Sequence, residues 1–538
     1  MPRMKMGPHL PGDLHLGQSQ QVRKKCSDPV IITEDGPLKG IISPEINEFL
    51  GIPYAATPVG SRRWTPPQLH ERWNGVLEAT QMGNVSPQLD FFGNEFGSED
   101  CLFLNVYTPG LKRNRYKHKH GGLPVMIWIH GGALVSGSGG QVDPAPLVKN
   151  GQVIVVTFNY RLGILGFFAH PALDAEGHLN ANYGLMDQQF VLQWVQRNIA
   201  AFGGDPDRVT IFGESSGGLS VYSQLASPTA AGLFQRAIAQ SGAYSSFDNY
   251  GQSFFPLLEA EALGAGFAGN IGCDNQTTEC LRSISDALLV HAQPGMFYPI
   301  IDGDVLKEPP GMALASGRFN QVPVITGTNH DEARFEIALT YDYQGRPLSD
   351  ADYPAATAEH VGLPVDHPSV QYLVQTMYPL SNYPPPSGVQ SAPLALGAWM
   401  TDAFQACPGR NAAQLLSQYV PTYMYEFNDE NAPLNDGLVP PSFPLGAYHS
   451  AEIQYLFNHN GIQAPFTSDQ QQLSDTMIDY WTQFAKRGNP NSPRTRYWPP
   501  YDARTDGVLS FSPPSPSIKY DFDADHKCSS FWNTISKQ

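Results

Sequence analysis

A chain of 538 residues with 41% hydrophobic and only 15% charged residues can bury a large core, which excludes a disordered protein. Its 50 acidic residues against 33 basic ones leave a formal charge of −17, the wrong sign for nucleic-acid binding. No apolar run approaches the roughly 18 residues of a membrane span, and no Cys-His cluster has zinc-ligand spacing, so no metal or other cofactor is expected.

The first 28 residues contain no apolar stretch of the signal-peptide type and read as a flexible tail ahead of a single domain over residues 29–538. From there, five segments predict buried strands: Leu123 to Gly131, Val153 to Gly163, Arg208 to Gly213, Val322 to Thr328, and Pro421 to Phe427. They are continuous runs of β-branched and aromatic residues bounded by Gly, Pro or Asn, as strands covered on both faces require. Helices fall between them. Leu185 to Phe202 follows Asn182 and stops at Gly203-Gly204, and Gln471 to Gly488 also ends on glycine. Strands alternating with helices predict an α/β protein with a mostly parallel sheet. The Pro-, Tyr- and Ser-rich stretch from about Tyr341 to Leu396 reads as a looping, partly helical cover over that sheet.

The chemistry is most legible at "VTIFGESSGGLS", Val209 to Ser220. A strand, then G-x-S-x-G, then a helix is a nucleophile elbow, in which the residues two before and two after the serine must be nearly free of side chain. Ser215 has Gly213 and Gly217 at those offsets, whereas Ser216 has Glu214 and Gly218. Ser215 is therefore the expected nucleophile, and Ser216 would contribute only its backbone N–H to an oxyanion. Earlier in the chain, "WIHGGALVSG" supplies a glycine loop after a strand, which adds the N–H groups of Gly132 and Ala133. The base and its orienting acid cannot be chosen from spacing among 15 histidines.

At this point the chain resembles the type-B carboxylesterases, the cholinesterase-like family. The motifs are "FLGIPYAATPVGSRRW", "SEDCLFLNVYTP", "MIWIHGGA", "FNYRLGILGFF", the helix-and-elbow segment "NYGLMDQQFVLQWVQRNIAAFGGDPDRVTIFGESSGG", "IAQSG", "NHDEARF", "GAYHSAEIQYLF" and "HKCSSFWN". The resemblance implies an α/β-hydrolase fold with helical and loop insertions over the active site. It also implies a serine hydrolase of small-molecule carboxylic esters. Ser215 resembles the family nucleophile, Glu332 the acid and His449 the base, with Ser241 and Glu214 as supporting positions. Leu134, Phe297, Tyr298 and Phe335 are expected around the substrate, and Phe91, Phe92 and Phe96 are further candidate pocket walls. Arg63 with Glu99 and Arg161 with Asp187 resemble family ion pairs.

Cys273 and Cys280 bracket a short polar loop that suits a local disulfide, and the resemblance adds Cys407 with Cys528. Cys101 lacks the usual family partner, which leaves Cys26 as a conjectural one. Disulfides point to a secreted or periplasmic protein, and the absent tetramerisation tail to a monomer or weak dimer. The alternatives are a non-catalytic adhesion protein on the same fold, or a lipase or acyltransferase. The intact set of three candidate residues and the short loop after Leu89 stand against them.

Overall fold

The structure, a computed structural model, describes residues 30–90, 93–110, 121–178, 181–243, 254–435, 438–459 and 461–535. The expected N-terminal tail, Cys26, Phe91 and Phe92 lie outside these residues.

The main sheet contains β1 (Ile41–Ile42), β2 (Ile46–Pro53), β3 (Phe103–Pro109), β4 (Leu123–Ile129), β5 (Ile154–Phe158) and β6 (Gly204–Glu214). It continues through β7 (Arg236–Gln240), β8 (Val324–Asn329), β9 (Thr422–Phe427), β10 (Val508–Phe511) and β11 (Ser517–Lys519). These eleven strands lie in the order β11-β10-β9-β8-β7-β6-β4-β5-β3-β2-β1. The strands from β10 to β5 are mutually parallel, and both margins are antiparallel.

All five strands expected from sequence are present, each within two residues of its expected extent at either end except two. Strand β6 begins earlier, at Gly204, with an irregularity in its pairing to β4 before Val209, and β5 ends at Phe158. Strands β1, β2, β3, β7, β10 and β11 were not anticipated. All but the short central β7 lie toward the two ends of the sheet, and β2, which pairs antiparallel with β3, is incompletely buried.

Successive residues of a strand point to opposite faces, and here each face feeds its own core. Met126, Trp128, Val155, Phe212, Ile238 and Ile325 belong to one cluster. Their chain neighbours Ile127, Ile129, Val156, Ile211, Ala239 and Val324 belong to the other. The second core is covered by α1 (Tyr183–Asn198) and α2 (Ser216–Ala226). The first is covered by α3 (Ala333–Ile337), α4 (Tyr353–Val361), α5 (Ala392–Thr401) and α6 (Ser468–Arg487). Helices α4 and α5 occupy the region read as a partly helical cover.

Helix α6 starts three residues before its expected beginning because Thr467 and Gln470 form a reciprocal capping box, and it stops at left-handed Gly488. Helix α1 has no side-chain cap. Asn182, which precedes it, instead donates to Ile300 O at 2.7 Å and Asp302 Oδ2 at 2.8 Å.

Two ion pairs lock the segments that lead toward the site. Arg63 joins Glu99, and Arg161 forks onto Asp187 at 2.7 and 2.8 Å. The second pair is buried, with side chains 4% and 0% exposed, and Asp187 also accepts the Arg161 backbone N–H at 3.1 Å. Disulfides join Cys273 to Cys280 and Cys407 to Cys528, while Cys101 is buried and forms no disulfide among the described residues.

Removing one partner of a buried pair leaves an uncompensated charge. Asp187→Ala should therefore lower unfolding stability by about 3–5 kcal/mol in urea titrations monitored by tryptophan fluorescence. A loss below about 1 kcal/mol would show that Arg161 finds other partners.

Candidate active site

Strand β6 delivers Ser215 at the apex of the turn into α2, with φ 57° and ψ −127°, a conformation an ordinary side chain rarely adopts. The flanking glycines are forced by contact. A Cβ on Gly217 would lie 2.1 Å from the Ile129 carbonyl oxygen, and one on Gly213 would lie 2.6 Å from the Gly217 backbone. No larger residue fits there without moving a strand.

Strand β4 runs beside β6 in parallel register, with Gly213 opposite Ile129, so the loop after β4 emerges next to the elbow. In that loop Gly132, Ala133 and Leu134 have φ values of 103°, 55° and 60°. The unusual run is pinned from several sides. Val135 and Ser136 donate to Gly132 O, Phe297 N–H reaches Ala133 O, and Gly163 N–H reaches Leu134 O. The Leu134 N–H donates to Ser216 Oγ at 3.1 Å. Sequence gave Ser216 only a backbone part, but its hydroxyl joins the loop to the elbow. None of these bonds uses the N–H groups of Gly132, Ala133 or Ser216.

Glu332 follows β8 and is 1% exposed. Its Oε1 accepts from Asn329 N–H at 2.7 Å and from Thr328 Oγ1 at 2.8 Å, which leaves Oε2 to meet His449 Nδ1 at 2.5 Å. Ser241 lies near enough to help keep this carboxylate ionised, although its own Oγ has no well-formed hydrogen bond. The loop carrying His449 is tied to the Glu332 turn. Asp331 accepts from Ala447 N–H at 2.9 Å and pairs with Arg334 at 2.8 Å, and Asn329 donates to Tyr448 O at 2.7 Å. Asp331 is thus a buried brace.

The other ring nitrogen of His449, Nε2, lies 3.3 Å from Glu214 Oε1. No hydrogen bond joins it to Ser215 Oγ among the described residues. A third carboxylate, Glu452, completes the surroundings by accepting from Asn329 Nδ2 at 2.7 Å and Gln240 Nε2 at 3.1 Å. Sequence reasoning did not single out Glu452 or Asn329. Both sit inside quoted motifs, but only the fold shows that they touch.

These contacts set the protonation. Burial works to lower the His449 pKa, but the charges of Glu214 and Glu332 outweigh it and push the ring up to about 10. Burial raises Glu214, against the pull of His449, to about 8. Glu332 stays below the ordinary carboxylate range because His449 and the donated hydrogen bonds overcome its burial. His449 and Glu214 are therefore both biased toward their protonated forms, while Glu332 is biased toward its anion.

The expected substrate residues separate. Leu134 is fully buried in the core shared with α2, and Phe335 packs on Tyr448 at 6.1 Å between centroids. Phe297 and Tyr298 line an apolar cavity of about 150 Å³ with Phe167, Phe168, Leu263 and Phe267. Phe96, at 46%, is exposed. His330, Glu426 and His526 form the one group of described residues whose potential metal-ligating atoms lie within 4.8 Å. Both His526 nitrogens already meet carboxylates, Asp402 at 2.6 Å and Glu426 at 2.8 Å, so the group reads as a buried ion-pair network.

The model of the carboxylesterase family matches residues 27–530. Acylcarnitine hydrolase of Mus musculus is 35% identical over 515 residues, covering 88% of this chain and 86% of its own. Para-nitrobenzyl esterase of Bacillus subtilis is 33% identical over 507 residues, covering 89% and 94%. Among solved structures, a PNB esterase superposes with a TM-score of 0.74 at 31% identity, covering 94% of this chain and 100% of that one.

With Glu214 beside it, the His449 imidazole should titrate above the ordinary 6.5. An uncharged residue at 214 removes a charge that favours the protonated ring, so Glu214→Gln should shift the titration to lower pH. NMR of histidine-labelled protein, assigned with His449→Gln, reads this directly. An unchanged or upward shift would contradict the electrostatic account.

Proposed function

The chain belongs to the carboxylesterase family and hydrolyses carboxylic esters, and on that premise we propose that it works through an acyl-enzyme on Ser215. Its fold is the α/β-hydrolase fold. The observation that carries the proposal is the strained apex of Ser215 next to Glu214, whose carboxylate lies 3.3 Å from a histidine whose far nitrogen is bound to a buried carboxylate.

Ser215 Oγ attacks the ester carbonyl carbon while His449 Nε2 takes the hydroxyl proton. Charge then develops on the carbonyl oxygen, where the N–H groups of Gly132, Ala133 and Ser216 receive it. The C–O bond to the alcohol breaks, His449 returns the proton to the departing oxygen, and the acyl group stays on Ser215. Water then attacks with His449 as base, releasing the carboxylic acid and restoring the serine. Glu332 holds Nδ1 protonated, so Nε2 is the nitrogen free to act. For the base to work, the proton near Nε2 must reside on Glu214, whose burial favours its neutral form. Serine and imidazole tighten together when substrate expels water, as often happens between free and bound enzymes.

We take residues 29–538 as one catalytic unit, since each core cluster draws on distant parts of the chain. The two disulfides support export to an oxidising compartment.

Ser215→Ala and His449→Ala should each lower kcat on 4-nitrophenyl acetate by about 10⁶-fold, and Glu332→Ala by about 10⁴-fold. A fluorophosphonate should label Ser215 alone. Activity retained in Ser215→Ala, or labelling elsewhere, would refute the assignment. Ser216→Ala should lower kcat by about tenfold, the worth of one loop hydrogen bond, while Ser215 still labels. Unchanged kcat would return residue 216 to a purely backbone part.

A further inference from the structure

The loop after β4 stands between two neighbours, since the strand order here is β6-β4-β5. Trp128 on β4 is opposite Thr157 on β5 and Phe212 on β6, so the residues just past β5 and β6 rise on either side of that loop. From β6 comes Ser216, whose hydroxyl accepts the Leu134 N–H. From β5 comes Tyr160, which is fully buried. Its hydroxyl donates to the His130 carbonyl at 2.9 Å, and its ring stacks on the His130 imidazole at 4.4 Å between centroids.

We propose that Tyr160 is a positioning residue for the oxyanion: by holding His130, it aims the Gly132 N–H at the ester carbonyl oxygen. The inference rests on the Ser215 reading and adds a residue to it.

A trans peptide is planar, so its C=O and N–H point in opposite directions. Whatever grips one carbonyl of the loop therefore aims the N–H of the next residue. Gly132 O accepts from Val135 and Ser136, which turns the Ala133 N–H the other way. Gly131 O lies 2.8 Å from His130 Nδ1. A carbonyl can only accept, so Nδ1 carries the hydrogen, and the imidazole aims the Gly132 N–H in the same manner. Burial lowers this ring to about 4 and so keeps it neutral. Gly131 itself is packed on the elbow, since a Cβ there would lie 2.8 Å from Glu214 O and 3.1 Å from Ser215 Cβ.

The Gly132 donor is thus only as well placed as His130, and Tyr160 holds that residue twice. Its ring covers the imidazole, and its hydroxyl ties down the main chain. Burial pushes the Tyr160 phenol far above its ordinary range, although the Ser216 hydroxyl beside it works the other way. The phenol therefore keeps its hydrogen for the His130 carbonyl at neutral pH.

Tyr160→Phe keeps the ring and its stacking but leaves the His130 carbonyl without this donor. The expected loss is confined to the transition state. For 4-nitrophenyl acetate, kcat and kcat/KM should fall together by about tenfold. Affinity for a trifluoromethyl ketone should fall by a similar factor. Ser215 Oγ adds to its carbonyl carbon as the hydroxyl proton passes to His449, which leaves an oxyanion on the same N–H groups. Tyr353→Phe is the control, because that buried hydroxyl also donates to a main-chain carbonyl, Tyr378 O at 2.9 Å, but in the helical cover. It should leave kcat and ketone affinity unchanged. Turnover is counted per Ser215 labelled by a fluorophosphonate, so partial unfolding does not enter. If Tyr160→Phe gives no labelled protein, Tyr160→Leu takes its place, with losses at least as large expected. Wild-type kcat and ketone affinity in the variant, a fall in melting temperature alone, or an equal loss in the control would overturn the proposal while the esterase reading stands. Label absent from Ser215 in the wild type would overturn the Ser215 assignment and this inference with it.

Discussion

The carbonyl oxygen of Ile129 presses so closely on Gly217 that no side chain can stand between them. This contact seats the first turn of α2 directly on the end of β4, and three consequences follow. Ser215 is driven to its strained apex, Ser216 opens the helix that follows, and the loop after β4 is brought within reach of the Ser216 hydroxyl. The proposed nucleophile and oxyanion donors are thus positioned through one backbone contact between adjacent parallel strands. The strain at Ser215 persists because two buried cores hold the strands on either side.

The histidine half of the site obeys a different logic. Three buried carboxylates, Glu214, Glu332 and Glu452, surround one imidazole. Together they would be costly to bury as anions. The structure offsets this unevenly: Glu332 takes the hydrogen bonds and stays charged, whereas Glu214 and Glu452 are raised toward neutrality. Unequal treatment separates the orienting anion and the proton reservoir that the proposed mechanism requires. A site with three equivalent carboxylates would hold its histidine permanently protonated and leave no base.

Sequence made the first half legible and much of the second half opaque for the same physical reason. The elbow is encoded by residues adjacent in the chain, so glycine offsets around Ser215 were enough to rank it over Ser216. Five strands read correctly because burial on both faces leaves a continuous apolar run, whereas the central β7, short and bounded by Arg236 and Gln240, was missed although it is buried. Strands β2 and β3, at a sheet margin, lack that signature. Glu332 and His449 are separated by 117 residues, and only the family resemblance linked them. Glu452 and Asn329 were invisible because their importance is a contact between the ends of two loops. The Ser216 hydroxyl was undervalued because its partner, Leu134, is 82 residues away.

The end of the chain bears on the acid turn as well. Glu426, on β9, runs in register with Thr328 on β8, one residue before Asn329. The same Glu426 grips His526, which also meets Asp402, and His526 lies two residues from the disulfide at Cys528. Burial works to deprotonate this ring, but the two carboxylates prevail and push it up to about 10. His330, which pairs with Asp331, lies 5.6 Å from it between ring centroids. A continuous path therefore connects the Cys407–Cys528 bridge, a buried imidazolium and the segment from Asn329 to Glu332 that fixes His449. The last residues of the fold buttress the acid from behind.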